Sequence, residues 1–161
     1  MSTDTAPGTA TPGTAHRKVL LLNGPNLNLL GQRDPATYGS ATLADVEART
    51  VAAGSELGLD VVCRQSNHEG ALIDLVQSAP TEGFSGIVIN PGAYAHYSYA
   101  LRDAVDAIDI PCVEIHISNV HAREPFRHTS VTAPVMDGFI CGCGIAGYVL
   151  ALRALLSRLD G

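Results

Sequence analysis

Between Asn23 and Tyr38 the chain reads NGPNLNLLGQRDPATY, which sets side-chain amides, the Arg33 guanidinium and the Tyr38 phenol in one Gly/Pro-punctuated loop. The apolar run Val19 to Leu22 leads straight into it and stops at Asn-Gly-Pro, the mark of a buried strand that ends abruptly. A second stretch, from Glu114 to Arg127, holds His116, His121, Arg123, Arg127 and a Ser-Asn turn after another apolar run. Arginine forks match carboxylate oxygens, and backbone N–H groups past a strand end add donors, so anion recognition is its natural use. The plainer alternatives are an ordinary polar surface loop for the first stretch and a satisfied structural histidine for His116.

Other chemistries are weighed by what the chain lacks. Lys18 is the sole lysine and begins the first strand, at the end of the sheet away from the loops, which argues against Schiff-base catalysis. There is no Walker-type GxxxxGKS/T and no GxSxG elbow. His116 and His121 lie five positions apart off a strand without a following HExxH pattern, so no metal site is expected. Gly142-Cys-Gly144-Ile-Ala-Gly147 matches GxGxxG, yet no strand pattern and no acidic residue about 20 positions on follow it. Close strand-to-helix packing is the better account, and no cofactor is expected. What remains is a tyrosine with arginines, histidines, amides and acidic groups, equipment for general acid–base work on an anionic, hydroxyl-bearing small molecule.

These residues need a frame. Residues 1 to about 16 are Thr/Ala/Gly/Pro-rich and aperiodic, and are expected to form a disordered tail before a single catalytic domain spanning 17–161. From Arg17 onward strand and helix patterns alternate: strand 18–23, helix 42–57, strand 59–64, helix 69–78, strand 86–90, helix 97–108, strands 111–116 and 138–142, helix 145–159. Thr42 with Asp45 offers a capping box, Leu43, Val46, Ala53 and Leu57 an apolar side for the first helix, and Thr50 and Gly54 weaken it. In the third helix Tyr97, Leu101, Ala104, Val105 and Ile108 recur at helical spacing. Nearly continuous apolar strands separated by helices indicate a parallel sheet covered on both faces. The expected fold is α/β: a flavodoxin-like, doubly wound, five-stranded parallel sheet in the order 2-1-3-4-5 with helices on both faces. Every polar segment of interest then follows a strand, including Gln65-Ser-Asn-His-Glu69 and Asn90 to His96, so all of them meet at one edge.

Composition bounds the partners. A net charge of −6 and no basic run longer than Arg17-Lys18 exclude the footprint of a nucleic-acid binder. No apolar stretch approaches the roughly 20 residues of a membrane span, and no secretory core is evident, so a cytoplasmic enzyme is expected. The four cysteines, Cys63, Cys112, Cys141 and Cys143, sit in or beside apolar runs and are read as reduced core thiols.

Four motifs occur in order: NGPNLNLLGxRxPxxYG, RQSNHEG, INPGAYxHxS and ExHISNxHxRExFRHxS. On these the chain resembles the type II 3-dehydroquinate dehydratases (type II dehydroquinases) of the shikimate pathway, from about Lys18 to the last helix. The departures are Ala95 and Tyr97 around His96, where the family often carries Thr or Ser. The resemblance implies removal of water from 3-dehydroquinate by anti elimination through an enol or enolate, giving 3-dehydroshikimate. It makes Tyr38 the base that takes the α-proton, with Arg33 and Arg123 as cations that ease its ionisation. Asn26 stabilises the enolate oxygen through a bound water, and His116 protonates the departing hydroxyl with either Glu114 or Glu69 fixing its protonation state. Substrate groups fall to Asn90, His96, Asp103, Arg127 and the backbone N–H groups of Ile117 and Ser118. Gly31 and Gly39 flank a loop that closes as a lid. The family's assembly is a homododecamer, a tetramer of trimers. Two other readings compete with this one: a flavodoxin-like small-molecule binding domain without catalysis, and a metal-dependent hydrolase built on the histidines.

Overall fold

The structure is a computed structural model that describes residues 16–32, 36 and 39–161. Most of the expected tail, together with Arg33 and Tyr38, lies outside the described residues. Five strands, β1 (Arg17–Asn23), β2 (Leu59–Gln65), β3 (Gly86–Asn90), β4 (Cys112–His116) and β5 (Gly138–Cys141), form one parallel sheet. Their order is β2-β1-β3-β4-β5, as the alternating pattern predicts. The helices are α1 (Leu43–Glu56), α2 (Glu69–Ser78), α3 (Tyr99–Asp106) and α4 (Ala146–Leu159).

Period-2 alternation along each strand divides the core between the two faces. Val19, Leu21, Val88, Val113 and Ile115 pack with α1 and α4, whereas Leu20, Leu22, Ile87, Ile89 and Cys112 pack with α2 and α3. Burying such side chains stabilises the fold by about 1.5–3 kcal/mol each. The capping box is present: Thr42 accepts from the Asp45 N–H, and the Asp45 carboxylate accepts from Thr42.

Three expectations need correction. The buried stripe of α1 is Val46, Thr50 and Gly54, so Thr50 and Gly54, read as weaknesses, form its inner face. Thr50 satisfies its hydroxyl on the Val46 carbonyl, and a Cβ on Gly54 would stand 2.4 Å from Val61 Cγ2, so only glycine lets the helix approach β2. Helix α3 begins at Tyr99, because Pro91-Gly92 opens a 3-10 turn over Gly92–His96 and Ser98 caps the Leu101 N–H. Tyr97 is therefore exposed, off the apolar stripe that Leu101, Ala104 and Val105 do form. Cys143 is exposed rather than a core thiol, while burial raises the Cys63 thiol to about 11 and the Cys112 thiol to about 12.

At the carboxyl edge Asn23 lies in register with both Gln65 and Asn90, Ile89 with Glu114, and His116 with Cys141, so the five strands end within one residue of one another. Gly24 ties the first loop to the third: its N–H donates to the Asn90 carbonyl at 2.8 Å, and a Cβ there would meet Pro91 O at 2.7 Å. Backbone cannot rotate away as a side chain can. Gly24→Ala is therefore expected to lower the melting temperature by roughly 5 °C, the scale of an overpacked core site. It should also raise KM by shifting the loop that carries Asn26. Calorimetry with steady-state kinetics checks both, and an unchanged melt would show that the two loops have room to separate.

Candidate active site

The loops after β1, β3 and β4 enclose a cleft lined by Asn26, Asn90, His96, His116, Ile117, Ser118, Arg123 and Arg127. Eight of the expected site residues thus meet in one place. Asn26 is the described non-glycine residue at positive φ, 67°, a left-handed conformation that asparagine tolerates better than most. It is held there by its N–H donating to Asn67 Oδ1 at 2.9 Å, and Gln65 donates to the same oxygen at 3.0 Å and to the Gly24 carbonyl at 3.1 Å. The RQSNHEG motif therefore sets the conformation of the NGPN motif.

The carboxylate beside His116 is Glu114. Residues two apart on a strand share a face, and His116 Nε2 lies 2.7 Å from Glu114 Oε1 with both side chains buried. Glu69 is occupied elsewhere, accepting from Ser98 Oγ at the start of α3. With Nε2 engaged, Nδ1 is the His116 nitrogen left for a ligand. The His116 ring packs on Phe139 at 5.6 Å and on His96 at 6.2 Å between centroids, which limits its reorientation.

His96 places Nδ1 2.8 Å from the Thr129 carbonyl. A carbonyl only accepts, so Nδ1 carries the proton and Nε2 is free to accept from a hydroxyl. Burial holds this imidazole below its ordinary range; the Thr129 carbonyl pulls the other way, and His116 and Arg127 add to the lowering. Asn90 is fixed at both ends: Oδ1 accepts from the Gly92 N–H at 3.2 Å and Nδ2 donates to Tyr148 Oη at 2.9 Å. Tyr148, fully buried on α4, donates in turn to Asn23 Oδ1 at 2.8 Å, and burial raises its phenol well above the usual value.

The two arginines are oriented by one acid. Glu124 Oε2 accepts from Arg127 Nε at 2.6 Å and stands 3.7 Å from Arg123 Nε, while Arg123 Nη1 donates to Ser118 Oγ at 3.1 Å. The Arg127 guanidinium also lies 4.7 Å above the Phe126 ring. Asp103 is exposed on α3 and does not line this cleft. Gly31 and Gly39, at φ 84° and 74°, bracket the segment expected to close over the site.

Sequence reading gave no role to Tyr148, Glu124, Ser130 and Thr132, although Glu124 and Ser130 stand in the fourth motif. The first is remote in sequence, and the other three sit in the irregular crossing between β4 and β5, which has no period to reveal an inward side chain. The alternation rule did hold the signal that selects Glu114 over Glu69. The GxGxxG stretch packs as expected: a Cβ on Gly147 would stand 2.5 Å from Ile115 Cδ1, and Gly142 abuts Asn119. Among the described residues no helix is long and apolar enough to cross a membrane.

Residues 17–156 match the family model described as Dehydroquinase class II. This chain belongs to the class II dehydroquinases. It is similar to the 3-dehydroquinate dehydratase of Chelativorans sp. (strain BNC1), 58% identical over 144 residues, covering 89% of this chain and 99% of the relative. The 3-dehydroquinate dehydratase of Deinococcus radiodurans is also 58% identical, over 142 residues, with 88% and 99% covered. Among solved structures, the type II dehydroquinase of Butyrivibrio crossotus DSM 2876 superposes with a TM-score of 0.85 at 48% identity, covering 91% of this chain and 99% of that one. The type II dehydroquinase of Propionibacterium acnes gives 0.84 at 45% identity, covering 88% and 97%. The family is thus the one that the four motifs predict, and the flavodoxin-like sheet the one that the alternating pattern predicts.

Proposed function

We propose that this chain is a 3-dehydroquinate dehydratase, a hydro-lyase of the shikimate pathway that removes water from 3-dehydroquinate by anti elimination through an enol or enolate. The observation that carries the reading is the buried Glu114–His116 pair, opening onto a cleft that also holds two arginines. In this reading Tyr38 takes the α-proton. A phenol of pKa near 10 costs about 4 kcal/mol to ionise at pH 7, and Arg33 and Arg123 offset that cost. Asn26, through a water, stabilises the developing enolate oxygen, and His116 gives a proton from Nδ1 to the departing hydroxyl. Arg127 takes the substrate carboxylate; Asn90, His96 and the Ile117 and Ser118 N–H groups take the remaining oxygens. The catalytic unit is residues 17–161, preceded by a tail, and the enzyme works in the cytoplasm without a cofactor as a homododecamer, a tetramer of trimers. Asp103, exposed on α3 and outside this cleft, is assigned to the substrate by the family resemblance alone.

The test is direct. Adding 3-dehydroquinate to the purified protein should produce the ultraviolet absorbance of a conjugated enone at a rate that a strong chelator leaves unchanged. Binding without new absorbance would favour a non-catalytic domain, and chelator-sensitive turnover a metal enzyme.

Dehydration of a β-hydroxy ketone can also run through a lysine imine, and here the single lysine decides the matter. Lys18 Nζ donates to the Glu82 carbonyl at 3.2 Å and lies 4.1 Å from the Phe84 ring centroid, at the amino end of β1. A strand of about six residues separates it from the cleft by some 20 Å. Borohydride added with substrate should leave activity intact, and Lys18→Arg should turn over like wild type. Covalent trapping on Lys18 would overturn the enolate route.

A further inference from the structure

Glu114 is wholly buried, and three groups converge on its two oxygens. His116 Nε2 lies 2.7 Å from Oε1, Thr132 Oγ1 donates to Oε2 at 2.6 Å, and Ser130 Oγ lies 3.3 Å from Oε1 and 3.2 Å from Thr132 Oγ1. Thr132 has no exposed surface and does not line the cleft, so it cannot touch a substrate. Its hydroxyl proton points at a carboxylate, which makes it a donor; Ser130 accepts from the Ala133 N–H at 2.9 Å and has one proton to give, to Glu114 Oε1 or to the threonine oxygen.

We propose that Thr132 is a positioning residue for the acid step, acting through Glu114 to keep the second proton on His116 Nε2, so that Nδ1 delivers its proton from an imidazolium. The inference rests on His116 as the acid. In that step the C–O bond of the enolate breaks, its electron pair leaves with oxygen, and the Nδ1 proton of the imidazolium joins that oxygen to form water as the enolate collapses to the enone. The imidazolium must hold two protons until then, one of them directed at Glu114. A buried carboxylate with a donor on each oxygen is satisfied as an anion and draws little on the shared Nε2 proton. Remove the Thr132 hydroxyl and Oε2 loses the donor that Thr132 gives it, while Oε1 keeps His116 and Ser130. The cheapest remedy is for the carboxylate to take the shared proton, which leaves a neutral imidazole whose remaining Nδ1 proton is far less acidic than that of the imidazolium.

The test compares Thr132→Val, isosteric but without the donor, with Thr132→Ser, which restores it. Kinetics are followed by enone absorbance, and exchange of the substrate α-proton is followed in D2O. Thr132→Val should lower kcat by about tenfold or more, the scale of one lost hydrogen bond to a buried charge, with KM within about twofold. Exchange events per turnover should rise, because the enolate still forms but returns. Thr132→Ser should recover kcat to within about threefold of wild type. Should the valine variant fail to fold, Thr132→Cys, with a weaker donor, should fall below Thr132→Ser in the same order. The proposal is overturned by valine or cysteine variants that match Thr132→Ser, or by exchange that falls in step with turnover. If His116→Ala, run alongside, keeps exchange while Thr132→Val behaves like wild type, the positioning role alone fails; if His116→Ala loses exchange together with turnover, the assignment of His116 fails first.

Discussion

Tyr38→Phe is expected to fold, to bind substrate with unchanged affinity and to lose turnover on the order of 10³-fold, the range that general base catalysis supplies. The substitution keeps the ring and removes only the oxygen that would carry the negative charge. In the proposed reading two guanidinium groups ease its ionisation, Arg33 on the same loop and Arg123, which stands in the cleft wall. Equilibrium binding of substrate and enone absorbance, measured on the same preparation, separate affinity from chemistry. A variant that keeps a tenth of the wild-type kcat would transfer the base role to another residue.

His116→Ala should give a different failure. Loss of the hydroxyl should slow by a comparable factor, yet the α-proton should still exchange slowly with solvent, since acid and base act on separate bonds. The buried position matters to the size of the effect. Removing the imidazole leaves the Glu114 carboxylate facing the cleft without its partner at 2.7 Å, so some loss of thermal stability should accompany the kinetic defect. Exchange measured by proton resonance in D2O, set beside turnover, reads the division of labour. Parallel loss of both would contradict it.

How much of this was legible in the sequence follows from where each signal resides. Strand runs such as Gly86-Ile-Val-Ile and the Thr42 cap are local, and they fixed the order of elements and hence the edge at which Asn26, Asn90 and His116 gather. Glycine contacts were legible only where a motif drew attention: close packing at the GxGxxG stretch was expected, whereas Gly54 against Val61 was mistaken for a weak point because its cause lies on another element. Tyr97 fits a helical period but falls outside the helix, since Pro91-Gly92 favours a tight turn before Ser98 can cap. Thr132 and Ser130 reach Glu114 from an irregular segment whose backbone path no periodicity records. Residues inside the four motifs were readable as site residues or their supports, whereas Thr132 and Tyr148, which lie outside them, were not.

The central claim is an anti elimination through an enolate, and the stereochemistry of proton loss tests it most directly. Two samples of 3-dehydroquinate, each carrying deuterium at one of the two α-positions, are converted by the purified protein and the product is weighed by mass spectrometry. Label on the face opposite the departing hydroxyl should be lost to solvent, and label on the same face should remain in the 3-dehydroshikimate. Retention of the first label with loss of the second would mean a syn elimination, and the separate stations assigned to Tyr38 and His116 would be wrong.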